Sequence, residues 1–538
     1  MCGIAGCFGI KDEKTINQML DALGHRGPDD RGVHSGDSFT VGHTRLSIVD
    51  VATGKQPILT SDGKKGIIAN GEIYNFKKLK LGLTSKYEFQ TKSDSETILH
   101  LYQEKGPKCV KELDGMFAFA IFDNDSYLLA RDPMGIKPLY YGYKNEKLYF
   151  TSELGAMSFA GVDEVHEFPA GYYYTPKEGF VQFYTIPKVQ DHLMTNIDKT
   201  TKTIRETFIK CVKKRLLADP EVPVGSFLSG GLDSSLVAAI AADEIPNLHT
   251  FVVGMEDQNG DLSDDVKAAR IAAKHIGSTH HEYLFTEQDY YDVLPYVINK
   301  LETYDPSLVR CAVPCYFTCK AAAEFCTVVL TGEGADEVFA GYHYMKNFPS
   351  DNLNMEGRRC IGNLHNINLQ RADRMGMNFS LELRVPFLDV KMIDLGMKIP
   401  PDLKIREHNG AKIEKWILRK AFEDTHYLPE EILWRYKVQY TQGAGCEDLG
   451  EKIANQMSDD EYKQIVAQNP KATINSKEAA YYFKIFREYH PQDSILGSIG
   501  IWTGFDFAEE REKVKGTVDG DLKHDRTEEN DEQASQVA

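Results

Sequence analysis

The sequence predicts two unlike domains, an N-terminal α+β domain followed by an α/β domain with a parallel sheet and additional helices. Three observations lead to this prediction. The chain has 538 residues, which is too long for one compact core. Short strand patterns and a hairpin dominate before residue 190. After residue 200, strand and helix patterns alternate along the chain.

The first part is predicted to be a mostly antiparallel sheet layered with helices. Two apolar, β-favouring runs flank the turn-forming residues 123–126, which is the pattern of a hairpin. Asp94 or Ser95 is placed to cap the second of two helical stretches. The predicted strands are residues 66–69, 116–122, 127–131, 147–151 and 171–175, and the predicted helices are residues 14–23 and 95–103.

The second part begins after residues 185–201, which lack periodicity and are predicted to be a linker. Alternating strands and helices then indicate βαβ units in a parallel sheet. The predicted strands are residues 222–228, 248–253, 281–285 and 328–330, and the predicted helices are residues 203–217, 234–242, 265–275, 313–325 and 410–422. The charged, polar segment after Phe507 is expected to be disordered.

Composition excludes several classes of protein. The formal net charge of -18 argues against a general nucleic-acid or anionic-membrane surface, although a phosphate site needs only local donors. No signal peptide is visible, and no apolar run approaches the roughly 18 residues of a membrane span. The 10 scattered cysteines do not form a disulfide framework. We therefore expect a cytoplasmic protein without nucleic-acid or membrane partners.

The first candidate site lies at the N-terminus. Removal of Met1 would leave Cys2 with a thiol and a free α-amine on one residue. That amine, with a pKa of about 7.7–8.0, can act as the general base for the thiol. A cysteine at this position is by itself weak evidence, because single motif matches are often accidental.

A series of motifs surrounds this cysteine in sequence order. They read CGIAG (2–6), HRGPD (25–29), RLSIVD (45–50), NGEIYN (70–75), SDSE (93–96) and RDPMGIKPLY (131–140). Over roughly residues 2–190 the series resembles the N-terminal-nucleophile glutamine amidotransferase domain. The resemblance implies a layered αββα fold with antiparallel sheets, in which Cys2 is the nucleophile that releases ammonia from glutamine.

The resemblance also implies roles for other residues. The Asn70 side-chain amide and the Gly71 N–H can donate to the oxyanion of a tetrahedral intermediate. Arg45 offers a fork for the α-carboxylate of glutamine and Asp94 an opposite charge for its α-ammonium, and Glu72 is expected to bind glutamine with them. Each residue also has an ordinary structural explanation, such as a surface ion pair, a helix cap or a turn. Their joint occurrence in family order favours the functional interpretation.

The second candidate site follows a predicted strand. Residues 224–228 lead into the loop SGGLDSS (229–235), and a helix follows. The glycines permit a tight turn with inward N–H groups, and the helix start and serine hydroxyls add donors for phosphate. A Gly-Ser turn that merely caps a helix is the alternative, and no Walker A pattern occurs. The predicted phosphate-binding residues here are Leu228, Ser229, Gly230, Gly231, Asp233, Ser234 and Ser235.

This loop resembles the pyrophosphate loop of enzymes that split ATP into AMP and pyrophosphate. The resemblance implies that Asp233 binds Mg²⁺ together with Asp336 of the motif TGEGADE (331–337), and that Gly332 lies at the phosphates. Oxygen ligands suit Mg²⁺. Acidic residues at a helix start can also simply compensate the helix dipole.

With both sites on one chain, the sequence is identified as a member of the large glutamine-dependent asparagine synthetases. The resemblance covers nearly all of residues 2–450 and includes ETYD (302–305), Arg310, AGY (340–342), ELRVPFLD (382–389), Arg435 and Lys437. It implies a glutaminase domain at residues 2–190 and a synthetase domain at 200–508, and the composition adds an acidic, disordered tail at 509–538.

The family chemistry follows from the same resemblance. The β-carboxylate of aspartate attacks the α-phosphorus of ATP to form β-aspartyl-AMP, and ammonia delivered through an internal tunnel displaces AMP. Glu333 is the expected base for the ammonia, and Lys437 and Arg310 are expected to stabilise the phosphoryl charge. Glutamine, aspartate, ATP and Mg²⁺ are the expected small-molecule partners, and a homodimer is left open.

Three segments depart from the family pattern, and one of them, SELG (152–155), lacks a lysine often seen nearby. The family usually has FSDG where this chain has YTQG (440–443), so a carboxylate is lost. Cys311 and Cys315 replace commoner residues and share a predicted helix face with Cys319. Three thiols along one helix are poorly placed for tetrahedral zinc, so they are expected to be small buried hydrophobic groups.

Three other functions remain open at this stage. A related synthetase could act on another carboxylate, as in β-lactam-forming relatives, but those typically lack the N-terminal cysteine. A sensor that binds glutamine and ATP without turnover is disfavoured by the intact acid and base candidates. A free-standing glutaminase would leave the second part unexplained. No single residue identifies aspartate as the acid substrate.

Overall fold

The two predicted parts of the chain form separate sheet systems in the structure. The structure is a computed structural model that describes residues 2–123, 126–188, 194–256 and 262–502. The predicted disordered segment after Phe507, the tail at 509–538 and residues 189–193 of the predicted linker lie outside the described residues.

The N-terminal part contains two six-stranded sheets in which every pairing is antiparallel. The first sheet has the spatial order β10 (Val165–Glu167), β8 (Tyr140–Lys144), β9 (Lys147–Thr151), β1 (Gly3–Phe8), β3 (Phe39–Arg45) and β2 (Asp30–Ser35). The second has the order β12 (Gly179–Gln182), β11 (Tyr172–Thr175), β7 (Ser126–Arg131), β6 (Gly115–Asp123), β5 (Lys65–Ile73) and β4 (Ile58–Leu59). The predicted hairpin is confirmed as β6 and β7.

The two sheets pack face to face because their strands alternate between two apolar faces. On β6, Ala118 and Phe122 pack with Ile4 of the first sheet, while Phe117 and Phe119 face the opposite way. That outer face is covered by α2 (Phe76–Leu83) and α3 (Asp94–Lys105). Helix α1 (Glu13–Ala22) covers the outer face of the first sheet, with α4 (Leu154–Met157) beside it. The predicted layered αββα fold is confirmed.

The predicted cap of α3 was wrong by one residue. Ser93 is the N-cap, in extended conformation, and its Oγ accepts a hydrogen bond from the Ser95 N–H at 3.2 Å. Asp94 is instead the first helical residue. Its Oδ2 accepts from the Ile73 N–H of β5 at 2.6 Å and its Oδ1 from the Ser95 N–H at 2.8 Å, so the buried carboxylate links the start of the helix to β5.

The C-terminal part is built on a five-stranded parallel sheet. Its spatial order is β15 (Thr279–Phe285), β14 (His249–Met255), β13 (Val224–Phe227), β16 (Val328–Leu330) and β17 (Glu382–Arg384). The central strands are short and buried, as expected when helices cover both faces. Because parallel strands share a carboxyl edge, the loops that follow β13 and β16 lie side by side there. The predicted α/β fold is confirmed.

Helices surround this sheet. Those before β17 are α5 (Ile197–Lys214), α6 (Leu232–Ala242), α7 (Asp264–Ile276), α8 (Glu287–Leu301), α9 (Pro306–Ala323), α10 (Ala335–Phe339), α11 (Ser350–Asn363) and α12 (Asn368–Met377). Those after it are α13 (Val390–Gly396), α14 (Pro401–Lys404), α15 (Trp416–Phe422), α16 (Glu430–Leu433), α17 (Tyr440–Gly443), α18 (Leu449–Ala454), α19 (Asp459–Gln468) and α20 (Lys477–Tyr489).

Several predictions on this part were wrong in extent, and the helices predicted at 203–217 and 313–325 begin earlier, at Ile197 and Pro306. The predicted linker 185–201 ends early, because Asn196 caps α5 by accepting from the Lys199 N–H at 2.9 Å. The predicted helix 410–422 is helical only from Trp416. Its first residues form a hairpin of β18 (Arg406–His408) and β19 (Ala411–Ile413). Asn409 and Gly410 both have positive φ, the conformation that a two-residue hairpin turn requires.

A buried ion cluster joins the two parts. It consists of Arg26 and Glu153 from the N-terminal part and Glu302, Asp373 and Arg374 from the C-terminal part. The Arg26 guanidinium donates to Glu153 at 2.6 Å and to Asp373 at 2.8 and 3.1 Å. Arg374 donates to Glu302 at 3.0 Å and to Asp373 at 3.0 Å. The relative position of the two parts therefore depends on charge pairs that water does not reach.

Within the described ranges, no helix has the length and the apolar character that crossing a bilayer requires.

Candidate active sites

Cys2 stands at the start of β1, buried between the two sheets and the second part of the chain. Its nitrogen donates to Asn70 Oδ1 at 3.0 Å, its carbonyl accepts from Arg26 Nε at 3.0 Å, and its Sγ lies 3.9 Å from the Leu46 carbonyl oxygen. Burial raises the pKa of the Cys2 thiol, so the thiol needs a base to become a nucleophile.

Two predicted oxyanion donors lie on β5 next to this thiol. The Asn70 amide accepts from Cys2 through its oxygen, while its Nδ2 is buried and has no hydrogen-bond partner in the described part of the chain. Gly71 has a φ of +148°, and a Cβ there would lie 2.0 Å from the Met116 carbonyl oxygen. Only glycine fits this position. The arrangement leaves the Asn70 Nδ2 donor free to stabilise an oxyanion.

The predicted glutamine-binding residues lie around the same point. Arg45 donates to the carbonyl oxygens of Asp50 at 2.5 Å and Val51 at 3.2 Å, which holds its guanidinium against a loop. Burial raises the pKa of Asp94 to about 6. Burial also raises the pKa of Glu72 well above its usual range, and the nearby carboxylates Glu382 and Asp94 raise it further. Buried negative charges gathered in this way favour a cationic group such as an α-ammonium.

The predicted phosphate loop lies at the carboxyl end of β13, between Leu228 and the start of α6. Ser229 and Ser234 hold it together, since the Ser229 N–H donates to Ser234 Oγ at 3.1 Å and the two hydroxyls lie 3.0 Å apart. Gly230 has a φ of +70°, and a Cβ there would meet the Ala268 backbone at 2.4 Å. Gly231 is the N-cap of α6, and Ser235 Oγ is buried without a hydrogen-bond partner among the described residues. The loop therefore presents helix-start donors.

The two predicted metal ligands are brought together by a lysine that sequence reasoning missed. Lys415 Nζ contacts Asp233 Oδ2 and lies 2.6 Å from Asp336 Oδ1. Lys437 Nζ, also a predicted site residue, lies 2.9 Å from Asp336 Oδ2. Burial raises the pKa of Asp336, but Lys415 and Lys437 outweigh it and hold that pKa well below its usual range. Lys415 has a φ of +56°, a strained conformation for lysine that sets its side chain between the carboxylates.

The donor set at this point fits Mg²⁺. Asp233 Oδ1 is buried and accepts no hydrogen bond from any described residue, so one carboxylate oxygen is available to a cation. The described residues hold no group of three or more His, Cys, Asp or Glu side chains arranged for a metal. Two carboxylates with substrate phosphates are nevertheless a usual Mg²⁺ environment.

Glu333 and Gly332 lie in the loop after β16, beside the phosphate loop. A Cβ on Gly332 would lie 2.8 Å from the Cβ of Asp233, so the two loops touch. The Glu333 carboxylate pairs with Arg371 of α12, a second residue that sequence reasoning missed. The structure thus gathers Gly332, Glu333, Asp336 and Lys437 around the phosphate loop.

Arg310 pairs with a glutamate that is not part of the group around the phosphate loop. Its guanidinium forms a bidentate pair with Glu478 of α20, with Nε 2.7 Å from Oε1. The pair borders a surface cavity of ≈ 470 Å³ that is also lined by Glu447, Asp448 and Glu451. The negative charge of these acidic residues disfavours a phosphate at this cavity. The role of Arg310 at the transferring phosphoryl group therefore stays a prediction.

Residues 440–443, which differ from the family pattern, form α17 beside Arg371. The Tyr440 ring lies under the Arg371 guanidinium at 5.6 Å, and its hydroxyl lies 3.3 Å from Thr318 Oγ1. Arg435 donates to Asp265 at 3.1 Å and to the Ser229 carbonyl oxygen at 3.3 Å. The signals that could have revealed Lys415 and Arg371 were a lysine among the apolar residues of 413–418 and an arginine two positions before Asp373.

The comparisons with known proteins match both parts of the chain. Residues 1–198 match a family described as glutamine amidotransferase domain. Residues 203–359 and 349–488 match a family described as asparagine synthase.

Several curated relatives span almost the whole length. The probable asparagine synthetase (glutamine-hydrolyzing) of Dictyostelium discoideum is 37% identical and covers 93% of this chain and 96% of its own. Asparagine synthetase B (glutamine-hydrolyzing) of Escherichia coli (strain K12) is 39% identical and covers 92% of both chains. The probable asparagine synthetase (glutamine-hydrolyzing) of Schizosaccharomyces pombe is 38% identical, covering 91% of this chain and 94% of its own.

Proposed function

This chain belongs to the family of glutamine-hydrolysing asparagine synthetases, and from this premise we propose a two-site reaction through β-aspartyl-AMP. The enzyme makes asparagine with ATP as a substrate and glutamine as its nitrogen donor. The proposed further products are glutamate, AMP and pyrophosphate. The observation that carries the proposal is the presence of both sites in one chain. In the first site the Cys2 nitrogen donates to Asn70 Oδ1. In the second site Lys415 contacts both Asp233 and Asp336 at the phosphate loop.

In the proposed first reaction, the Cys2 thiolate attacks the amide carbon of glutamine. Its own α-amine, freed by removal of Met1, takes the thiol proton and later protonates the leaving ammonia. Asn70 Nδ2 and the Gly71 N–H stabilise the oxyanion. Water then hydrolyses the thioester and releases glutamate. Asp94 and Glu72 hold the α-ammonium of glutamine, and Arg45 holds its α-carboxylate.

In the proposed second reaction, an oxygen of the aspartate β-carboxylate attacks the α-phosphorus of ATP and pyrophosphate leaves. Ammonia then attacks the acyl carbon, and AMP leaves with the bridging oxygen. The N–H groups and hydroxyls of residues 228–235 hold the phosphates, and Lys437 stabilises the negative charge that develops on them. Glu333 takes a proton from the attacking nitrogen, while Arg371 keeps the carboxylate oriented. Mg²⁺, held by Asp233 and Asp336, would neutralise phosphate charge.

An isotope experiment tests the proposal. The protein is incubated with MgATP, amide-¹⁵N glutamine and aspartate labelled with ¹⁸O in its β-carboxylate. We expect ¹⁵N in asparagine and one ¹⁸O atom in AMP, the signature of an acyl-adenylate. Formation of ADP and phosphate would contradict the intermediate. Labelled ammonia without asparagine would instead identify another carboxylate as the acceptor.

Three further statements remain predictions within this proposal. The domain limits of 2–190 and 200–508 can be tested by limited proteolysis. A cytoplasmic location is in keeping with the ten free cysteines. A homodimer can be tested by light scattering.

A further inference from the structure

One carboxylate beside the glutamine site belongs to the other part of the chain. Glu382 lies on β17, the edge strand of the parallel sheet, and is completely buried. Burial is the largest cause of the raised pKa values of Cys2, Glu72 and Asp94, and the charge of Glu382 raises all three further. This carboxylate therefore lies within electrostatic reach of the nucleophile and of both acidic glutamine-binding residues.

A neighbouring arginine connects the same strand to β5. Arg384 Nε donates to Glu382 Oε1 at 2.6 Å, and its Nη2 lies 3.8 Å from Glu72 Oε1. Its Nη1 donates to the carbonyl oxygens of Arg215 and Leu217, each at 2.6 Å. Four contacts thus hold this completely buried guanidinium in one orientation. A planar group fixed in this way can hold a carboxylate at a defined place.

The backbone of the strand faces the synthetase site. Leu330 of β16 pairs with Arg384, and the Thr331 N–H donates to the Arg384 carbonyl oxygen at 2.9 Å. Thr331 begins the loop that carries Glu333 and Asp336. One three-residue strand therefore contacts the synthetase loop through its backbone and the glutamine site through its side chains.

We propose that Glu382 and Arg384 are positioning residues of the glutamine site, supplied by the synthetase part of the chain. Arg384 holds Glu72 in place for the α-ammonium of glutamine, and Glu382 adds a negative charge behind it. Glutamine hydrolysis therefore requires that β17 is packed against β5. This inference rests on the proposed roles of Cys2 and Glu72.

The test is the variant Glu382→Gln, which keeps shape and removes one charge. The charged and titratable groups that face Glu382 are Arg384, Lys137, Glu72, Tyr74, Asp94 and Cys2. Removing the charge lowers the pKa values of the acids and of the thiol. We expect the KM for glutamine to rise about tenfold with kcat little changed, and the acidic limb of glutamine hydrolysis to move about one pH unit lower.

Alkylation of Cys2 by iodoacetamide gives a second readout that does not need turnover. In Glu382→Gln its pH midpoint should also move to lower pH, and Glu382→Asp, which retains the charge, should restore the wild-type profile. The matched control is Glu302→Gln, another buried carboxylate between the two parts, which accepts from the Leu154 and Gly155 N–H groups. A merely structural role predicts equal effects for Glu382→Gln and Glu302→Gln.

The outcomes separate this inference from the function on which it rests. If the wild type hydrolyses glutamine but Glu382→Gln keeps the wild-type KM and both pH profiles, the positioning role is overturned. If the wild type hydrolyses no glutamine, the proposed function fails, and the alkylation profile still decides whether Glu382 acts on Cys2. Ammonia-dependent asparagine formation should persist in Glu382→Gln, which shows that the variant has folded.

Discussion

Replacing Arg26 with methionine should destabilise the protein because it removes a buried positive charge, while the volume of the side chain changes little. The guanidinium is completely buried and donates to Glu153, to Asp373 and to the Cys2 carbonyl oxygen. Breaking a buried ion pair costs about 3–5 kcal/mol, because it leaves an uncompensated charge. Glu153 keeps His25 at 3.2 Å and Asp373 keeps Arg374 at 3.0 Å, so we expect about 3 kcal/mol, the lower end of that range.

Thermal unfolding followed by circular dichroism measures this loss. For a folding unit of this size, 3 kcal/mol corresponds to a decrease in the first Tm of about 6–12 °C. The pKa values of Glu153 and Asp373 are lowered in the folded protein, since neighbouring cations outweigh burial. Their stabilisation is therefore present above the unfolded pKa and is lost as pH falls. In Arg26→Met the carboxylates can take up protons, so the Tm difference should be larger at pH 7.5 than at pH 5.

The control is Arg31→Met, because Arg31 is exposed and pairs with Asp21 on the surface. A surface pair contributes about 0–1 kcal/mol, so its Tm should move by no more than a few degrees. Equal Tm changes in the two variants would refute the reasoning, and so would a difference for Arg26→Met that grows on acidification. The double variant with Asp373→Asn should lose less than the sum of the single losses.

Three other predictions concern the two sites separately. Cys2→Ala should abolish asparagine formation from ¹⁵N-glutamine but leave formation from ¹⁵N-ammonium, as measured by mass spectrometry. Asp336→Asn should reduce pyrophosphate release about a hundredfold or more while glutamine hydrolysis continues, because a ligand for the phosphate-bound cation is lost. Asp94 has a pKa of about 6, so the KM for glutamine should rise as pH falls below 6, when the carboxylate becomes neutral. Asp94→Asn should have a high KM without that pH dependence, and a wild-type KM in this variant would contradict the assignment.

Much of the fold was predictable because local signals and tertiary contacts agree. The alternating faces of β6 and β7 and the turn-forming sequence of residues 123–126 are local signals that are enough to predict this hairpin. The strand and glycine pattern before α6 likewise predicts a phosphate loop. The hairpin of β18 and β19 was missed although Asn409-Gly410 is a strong turn signal, because the apolar run that follows favoured a helix.

Site residues that belong to motifs could be predicted together even when they are distant in sequence, whereas their partners outside the motifs could not. Asn70, Gly71 and Cys2 come together because β5 and β1 belong to facing sheets. Lys415 meets Asp233 across 182 residues of chain, and Arg371 meets Glu333 across 38. A lysine or arginine has no periodicity that reveals its partner, so only the folded arrangement shows these pairs.

The ion cluster between the two parts also has a consequence for biosynthesis. Arg26 is made early, yet one of its two carboxylate partners, Asp373, follows it by 347 residues. At about 5–20 residues per second, ribosomes need roughly 20–70 seconds to cover that distance. During this time the N-terminal sheets must fold with Arg26 and Lys137 still hydrated, and water can leave them only when α12 and β17 have arrived. Closure of the thiol site is therefore a late event that cannot begin until α12 and β17 have been made.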